Sequence, residues 1–148
     1  MLLAKNRKAL HNHEILEKFI AGIVLKGYEV KAIKEGKVAF EGAFVKIVNN
    51  NAVVTGLHIG KYSKQWQDVQ DTRVDRQLLL NQREIQKIRQ ETQQKGKTVI
   101  PLALLLKNNL IKLEIATVKG RKKHEKKTLA KEKQIKKDLE KSKGMIRI

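Results

Sequence analysis

Apolar runs in the sequence predict two β-hairpins. Each hairpin consists of two runs separated by a short asparagine-rich link. The four runs are residues 40–48 (FEGAFVKIV), 52–59 (AVVTGLHI), 98–106 (TVIPLALLL) and 110–118 (LIKLEIATV). Strand-like runs on both sides of such a link are typical of hairpins. Pro101 has no amide hydrogen to donate, so we expect it at a sheet edge or at a bulge.

Helical features occur in two other segments. Residues 27–36 (GYEVKAIKEG) lie between two glycines, which suits a short helix that ends at Gly36. Further along, apolar residues recur near one helical face at Val74, Leu78, Ile85 and Ile88. Asn81 and Glu84 have the spacing of a capping box. We therefore expect a long helical region that breaks or restarts at Asn81, with Gly96 as its stop.

These elements predict a fold that is mainly β with helices. Residues 19–25 (FIAGIVL) are a fifth apolar run, and we expect about six strands in all, with one helix inserted between the two hairpins. This order suggests a small closed β-barrel of oligonucleotide-binding type.

Positive charge is concentrated towards the end of the chain. The 148 residues include 33 Lys+Arg and 15 Asp+Glu, a formal net charge of +18. Residues 119–148 contain 13 of the basic and 4 of the acidic residues, so a fifth of the chain carries half of the net charge. Apolar residues also become sparse there. We therefore expect a folded body over residues 1–118 and a basic tail over residues 119–148.

The charge indicates a polyanionic partner, with nucleic acid favoured over an anionic membrane surface. The longest apolar run, residues 99–106, is far shorter than the roughly 20 residues that span a bilayer. The absence of cysteine excludes disulfides, thiolate zinc sites and a cysteine nucleophile. Together with the lack of an apolar leader at residues 1–10, it leads us to expect a cytoplasmic protein.

The sequence carries no recognisable catalytic or metal-binding pattern. No cluster of acidic residues at metal-ligand spacing accompanies His11 and His13, and the phosphate-loop, dinucleotide-binding and G-x-S-x-G motifs are absent. We therefore expect neither an enzyme nor a bound metal or cofactor. With only six aromatic residues, the chain lacks a base-stacking platform, which favours recognition of folded RNA by shape and backbone.

The basic tail has good helix formers but only a thin apolar stripe, at Leu129, Ile135 and Leu139. Isolated helices of this length are marginal in water. Two interpretations stay open: the tail is mobile when free and becomes helical along a polyanion, or it is permanently disordered.

Five motifs in the same order resemble the SmpB family of tmRNA-binding proteins. Asn6–His11 (NRKALH) is similar to its N-R-K-A-x-H opening, and residues 21–31 (AGIVLKGYEVK) to its A-G-(I/L)-x-L-x-G-(W/T/Y)-E-V-K core. Residues 71–84 (DTRVDRQLLLNQRE) are similar to its D-(P)-x-R-x-(R)-x-L-L-L-x-x-R-E helix. Residues 101–115 (PLALLLKNNLIKLEI) and 119–127 (KGRKKHEKK) are similar to its hairpin and its K-G-K-K-x-H-D-K-R junction.

The resemblance implies an oligonucleotide-binding-type barrel with three helices and no enzymatic activity. Members of this family bind the tRNA-like domain of tmRNA and deliver it to stalled ribosomes for trans-translation, while the tail enters the empty mRNA channel and folds into a helix. The implied partners are tmRNA, ribosomal RNA, and the decoding centre and mRNA channel of the small subunit. One monomer per tmRNA is expected. A general RNA-binding or ribosomal structural protein is the alternative, and a tail docked on a membrane surface is a third hypothesis.

Site residues are also implied by the resemblance. In the body, the expected tmRNA contacts are Gly22, Gly27, Tyr28, Glu29, Lys31, Leu80, Asn81, Arg83, Lys107 and Asn108. In the tail, the expected ribosome contacts are Lys119, Gly120, Lys122, Lys123, His124, Lys126 and Lys127. His124 matches the family histidine that stacks on a decoding-centre base. For Tyr28 and Leu80, ordinary core packing is the alternative.

Three positions depart from the family pattern. The family usually has glutamate directly before A-G, where this chain has Ile20, which cannot accept a hydrogen bond from RNA. The usual D-K-R after the tail histidine is Glu125-Lys126-Lys127, which keeps the charge but loses the bidentate arginine. The aromatic pair before K-N is Leu105-Leu106.

Overall fold

The structure is a computed structural model that describes residues 1–64 and 71–120. Over these residues it contains three helices and nine strands. In chain order they are β1 (Leu2–Lys5), α1 (Arg7–Asn12), β2 (His13–Ile23), α2 (Gly27–Lys34), β3 (Val38–Ala39), β4 (Phe44–Val48), β5 (Asn51–Thr55), β6 (His58–Ile59), β7 (Arg76–Leu79), α3 (Gln82–Thr92), β8 (Lys97–Lys107) and β9 (Leu110–Gly120). The prediction of a mainly β fold with about three helices is confirmed.

Seven strands form one antiparallel sheet in the order β1-β8-β4-β5-β7-β2-β9. Strands β8 and β9 also pair with each other, so the ladders run from β8 through β4, β5, β7, β2 and β9 back to β8. The short strands β3 and β6 form a separate two-stranded sheet. Strands β2, β8 and β9 are the longest, with 11 residues each.

Both predicted hairpins are confirmed. The β4–β5 turn consists of Asn49 and Asn50, and the β8–β9 turn of Asn108 and Asn109. All four asparagines have positive φ, between 50° and 63°. Two-residue turns with positive φ at both positions match the twist of the flanking strands, and asparagine tolerates that conformation. The β8–β9 register shifts directly after Pro101, which confirms the expected bulge.

The predicted short helix is also confirmed, because α2 ends at Lys34 and Gly36 follows with φ of 80°. The predicted strand over residues 52–59 is not continuous. It divides at Gly56, which has φ of 77° and lies so close to Gly42 that an added Cβ would be 2.8 Å from the Gly42 carbonyl oxygen. Residues on the two sides of this bend enter different sheets as β5 and β6.

The prediction of a long helical region was wrong for its first part. Residues 76–79 form strand β7, and α3 begins only after its N-cap Asn81. The capping box is confirmed: Asn81 Oδ1 accepts from Glu84 N at 2.8 Å, and Glu84 Oε1 accepts from Asn81 N at 3.1 Å. The helix ends at Thr92, so Gly96 does not stop it but turns the chain into β8.

Helices α2 and α3 are fixed to the sheet by buried isoleucines. Ile33 of α2 and Ile88 of α3 belong to the main apolar core, together with residues of the β-strands such as Leu104 and Leu113. A second, smaller cluster packs α1 against β8 and β9. Strand β8 therefore has apolar neighbours on both faces, which explains its nearly continuous apolar sequence. None of the helices in residues 1–64 and 71–120 has the length and hydropathy needed to cross a membrane.

Candidate nucleic-acid interface

The ladder between β2 and β9 has two ends with different surroundings. At one end Gly22 is paired with Lys112, and at the other His13 is paired with Gly120. We call the first the turn end, because the Asn108–Asn109 turn closes β9 there, and the second the root end, because residues 121–148 follow Gly120. Eleven residues of strand separate the two ends by roughly 33 Å.

The turn end brings together the segments that contain the predicted body residues. Gly22 is paired with Leu79 of β7 as well as with Lys112 of β9. Leu80 and Asn81 follow β7 directly, and Lys107 and Asn108 adjoin the start of β9. Three residues separate the end of β2 from the start of helix α2. Antiparallel pairing thus places segments from four parts of the sequence at one end of the ladder.

The predicted residues at the turn end differ in their exposure. Those that are exposed to solvent are Gly27, Lys31, Asn81, Arg83, Lys107 and Asn108. Gly22, Tyr28 and Leu80 are half-buried, and Leu80 packs partly against the main core. The Tyr28 ring lies 5.8 Å from the Lys26 ammonium group. Basic side chains and amide groups are therefore available to contact phosphates at this end. For Leu80, the alternative interpretation of ordinary core packing is correct in part.

Glu29 is the exception, because only 6% of it is exposed. Its Oε1 accepts a hydrogen bond from the backbone of Lys26 at 2.9 Å, which caps α2. Its Oε2 is 2.7 Å from both Nε and Nη2 of Arg76, which is itself only 4% exposed. The Glu29 carboxylate, expected on the RNA-binding surface, is instead enclosed within the protein.

Arg76 was missed by the sequence analysis, although the sequence contained a signal for it. In strand β7 side chains alternate between the two faces, so Arg76 points to the same side as the buried Leu78. A buried arginine requires partners. Besides Glu29, Arg76 donates to the carbonyl oxygens of Leu57 at 2.7 Å, Thr72 at 3.0 Å and Val74 at 3.2 Å. We overlooked the alternation of side chains in this segment because we interpreted the segment as a helix.

Exposed apolar side chains accompany the basic residues at the turn end. Leu79 is 57% exposed, Ile20 46% and Val24 52%. Leu79 lies against Gly22, where an added Cβ would be only 3.1 Å from the Leu79 Cβ. Ile20 lies two residues before Gly22 and therefore on the same face of β2. The exposed leucine of the Leu78-Leu79-Leu80 run is thus Leu79 and not Leu80.

The root end is formed by α1, β2 and β9 and carries several basic side chains. Lys119 is paired with Glu14 and Lys97, and Gly120 with His13. Strand β9 therefore continues two residues beyond the expected end of the body. The α1 residues Arg7, Lys8 and His11 are exposed nearby. The remaining predicted tail residues, Lys122, Lys123, His124, Lys126 and Lys127, lie outside the described residues.

Shifted pKa values occur only in surface ion pairs among the described residues. Hydrogen bonds from Ser63 lower the pKa of Glu35. Hydrogen bonds from Thr55 and then Lys46 lower the pKa of Asp75, and Glu17 raises the pKa of Lys87. These groups lie at the surface and link neighbouring elements. The part of the chain that the structure describes holds no group of three or more acidic or histidine side chains that could bind a metal ion.

Comparison with known proteins gives one consistent result. The model of the SmpB protein family matches residues 3–145. The SsrA-binding protein of Oleidesulfovibrio alaskensis is 43% identical over 137 residues, which cover 93% of this chain and 88% of that protein. The SsrA-binding protein of Persephonella marina is also 43% identical, over 99% of this chain and 97% of its own length.

A solved structure agrees with the sequence relatives. The structure called "tmRNA-SmpB: a journey to the center of the bacterial ribosome" contains a similar chain, with a TM-score of 0.71 and 35% sequence identity. The similarity covers 83% of this chain and 87% of that one. Family model, sequence relatives and solved structure thus agree over most of the chain, and the protein belongs to the SmpB family.

Proposed function

We propose that this protein is an RNA-binding adaptor of trans-translation. Its turn end binds the tRNA-like domain of tmRNA, and its tail, which follows the root end, reads the empty mRNA channel of a stalled ribosome. The observation that carries the proposal is the pairing of Gly22 with Lys112 at one end of a ladder and of His13 with Gly120 at the other. This arrangement lets one small domain face two RNAs at once.

The body is proposed to be a closed barrel of oligonucleotide-binding type. Support comes from the ladders, which lead from β8 through five other strands and return to β8. The predicted division into a body of residues 1–118 and a tail of residues 119–148 is kept in the proposal, with β9 carrying the first two tail residues.

Binding at the turn end would combine charge with shape. Lys31, Arg83 and Lys107 are exposed cations that can contact phosphates, which position an RNA without reading its sequence. Asn81 uses its side-chain oxygen to cap α3, so its amino group is the part that can donate to RNA. The exposed apolar residues around Leu79 would pack against ribose or an unpaired base. This chain uses Ile20 where the family has glutamate, so apolar contact replaces a hydrogen bond there.

The tail would act through its charge and through one ring. An mRNA channel lined with ribosomal RNA is an anionic tube, and a lysine-rich segment can occupy it when no message competes. Lys122, Lys123, Lys126 and Lys127 would contact ribosomal phosphates, and His124 would stack on a base of the decoding centre. The adaptor would act in the cytoplasm as a monomer, one per tmRNA, without catalysing a reaction itself.

Competition between RNAs tests this function against the alternative of a general RNA-binding or ribosomal structural protein, which the net charge of +18 also favours. Labelled tmRNA is bound to the full chain at fixed salt and displaced with unlabelled tmRNA or with bulk tRNA. We expect at least about tenfold weaker displacement by bulk tRNA, because specific complexes exceed non-specific binding by larger factors. Equal displacement would contradict the proposal.

A further inference from the structure

We infer that Arg76 is a positioning residue for RNA recognition. Through Glu29 it fixes the first turn of α2 to the junction between β7 and α3, so that these two parts of the turn end meet the RNA in one geometry. The inference rests on the proposed function, because it concerns the same RNA-binding end.

The α2 side of this connection is the Glu29 carboxylate. One oxygen caps the helix by accepting from Lys26 N, and the other accepts both bonds from Arg76. The exposed or half-buried residues Gly27, Tyr28 and Lys31 surround Glu29 in the helix. A shift of the carboxylate would therefore move these three residues together.

The β7 side is anchored by the guanidinium group. Its three backbone acceptors, the carbonyl oxygens of Leu57, Thr72 and Val74, belong to the segment before β6 and to the loop before β7. Arg76 is also paired with Val54 in the β5–β7 ladder. The sheet thus fixes the backbone of Arg76, while the side chain of Arg76 fixes helix α2 through Glu29. Leu80 and Asn81 follow within five residues.

If stability alone were required, a buried ion pair would be an unusual way to connect α2 to the junction between β7 and α3. Taking two charges out of water is costly, and apolar residues of similar volume often serve stability equally well. An arginine with five hydrogen bonds, however, fixes direction as well as distance, because its donors have a rigid planar arrangement. Fixing two contact groups before binding reduces the ordering that binding would otherwise require.

The test separates positioning from stability. In the double variant Glu29→Gln/Arg76→Met, the glutamine oxygen can still cap α2 and no buried charge is left unpaired. We expect the variant to be folded and to lose less thermal stability than Arg76→Met alone, but to bind the isolated tRNA-like domain about tenfold more weakly. Arg76→Lys is measured beside it, because lysine keeps the charge but cannot make all five bonds.

Arg73→Met is the matched control. Arg73 lies three residues before Arg76 and is exposed, and its Nη1 donates to the carbonyl oxygens of Gly56 at 2.7 Å and Glu41 at 3.3 Å. The control removes the same charge from the same segment without touching α2. We expect its affinity for the tRNA-like domain to stay within about twofold of wild type.

The possible outcomes distinguish the inference from the proposed function. If the folded double variant or Arg76→Lys binds the tRNA-like domain as tightly as wild type, or if the control loses as much affinity as they do, the inference is wrong. It is also wrong if neither Arg76 variant folds, because the residue then serves folding. If wild type itself shows no preference for the tRNA-like domain over bulk tRNA, the proposed function fails instead.

Discussion

The turn end and the root end are built from different kinds of interaction. At the turn end, segments far apart in sequence are fixed by a close approach of Gly22 to Leu79 and by the buried pair of Glu29 and Arg76. At the root end, the described surface carries exposed basic side chains on α1 and Lys119 at the end of β9, beside the exposed Glu14 with which Lys119 is paired. One end therefore offers a defined shape, and the other offers mainly charge.

Under the proposed function, this difference is what lets one small basic protein bind two RNA partners. A rigid surface discriminates between folded RNAs because only a complementary shape allows all of its contacts to form together. A cationic segment binds any accessible phosphate backbone, with an affinity that falls steeply as salt rises. We therefore expect changes at the turn end to alter selectivity, and changes beyond the root end to alter function on the ribosome.

Deletion of residues 121–148 should have the largest effect. The deletion leaves β9 complete, so affinity for the isolated tRNA-like domain should fall only by the loss of non-specific charge contacts. Tagging of stalled chains in a reconstituted translation system should fall about 100-fold or more, since each lost phosphate contact weakens binding to ribosomal RNA. Tagging at a wild-type rate would show that the two ends do not have separate functions.

Arg76→Met alone should be the most destabilising single change. It leaves the Glu29 carboxylate buried without its partner, and breaking a buried pair in this way costs about 3–5 kcal/mol in the free energy of unfolding. Arg73→Met, which breaks bonds at the surface, should cost about 1 kcal/mol. Urea unfolding followed by circular dichroism measures both values. Similar losses would mean that the buried pair contributes no more than a surface arginine.

His124→Ala should separate the two functions with a single side chain. If the ring stacks on a base, its removal should lower tagging about tenfold, because base stacking contributes about 1–3 kcal/mol. Affinity for the free tRNA-like domain should not change. His11→Ala changes a histidine of α1 and is the control. Equal effects of His124→Ala on tagging and on free binding would remove the special role of the ring.

Leu79→Ala should weaken binding at the turn end with little effect on stability. The side chain is 57% exposed, and burying it against RNA would contribute about 1 kcal/mol, or roughly a fivefold change in affinity. Val74→Ala is the matched control, since Val74 is an exposed apolar residue of the same segment, five residues before Leu79 and outside the Gly22–Leu79 pairing. Fluorescence anisotropy with the tRNA-like domain compares the two. A larger loss for Val74→Ala would mean that the apolar contact lies elsewhere.

Asp75→Asn should have the smallest effect and should leave both ends unchanged. Bonds from Thr55 and Lys46 lower the pKa of Asp75, so its contribution to stability is present above the ordinary carboxyl pKa of about 3.9 and disappears as the pH falls through the lower folded-state value. The melting temperature of wild type should therefore exceed that of the variant slightly at neutral pH, and the difference should vanish in strong acid. A difference that grows in acid would contradict this sign.

The sequence predicted those parts of the fold that depend on local chemistry. Both asparagine turns, the bulge after Pro101 and the capping box of Asn81 and Glu84 follow from backbone preferences of a few residues. The prediction for the residues of strand β7 was wrong because four residues are too few to distinguish the period of a strand from that of a helix. Helix α1 and the first half of β2 were missed, since Ala9, Leu10 and Ile15 face a second, smaller cluster that only the tertiary fold creates. Strand β1 was missed as well, because it has only four residues and its Leu3 and Ala4 pack against the main core only once the chain is folded.

The candidate site shows the same limit. Motif resemblance selected the segments that meet at the turn end, but it could not tell which residue in each segment is exposed. Glu29 was expected at the surface and is buried, while Leu79 and Arg76 were missed because their positions depend on the alternation of β7. Exposure is set by pairing between distant strands, and a short motif does not contain that information.

Directed cleavage of RNA tests the central claim most directly. Because the chain contains no cysteine, each introduced cysteine is the single site that the label can modify. A single cysteine is introduced by Leu110→Cys at the turn end, where Leu110 is 60% exposed, or by Lys95→Cys near the root end, and each is labelled with an iron chelate that generates hydroxyl radicals. In a reconstituted complex with tmRNA and stalled ribosomes, the first probe should cleave the tRNA-like domain and the second the RNA of the small subunit. Cleavage of the same RNA region by both probes, or the reverse assignment, would contradict a two-ended adaptor.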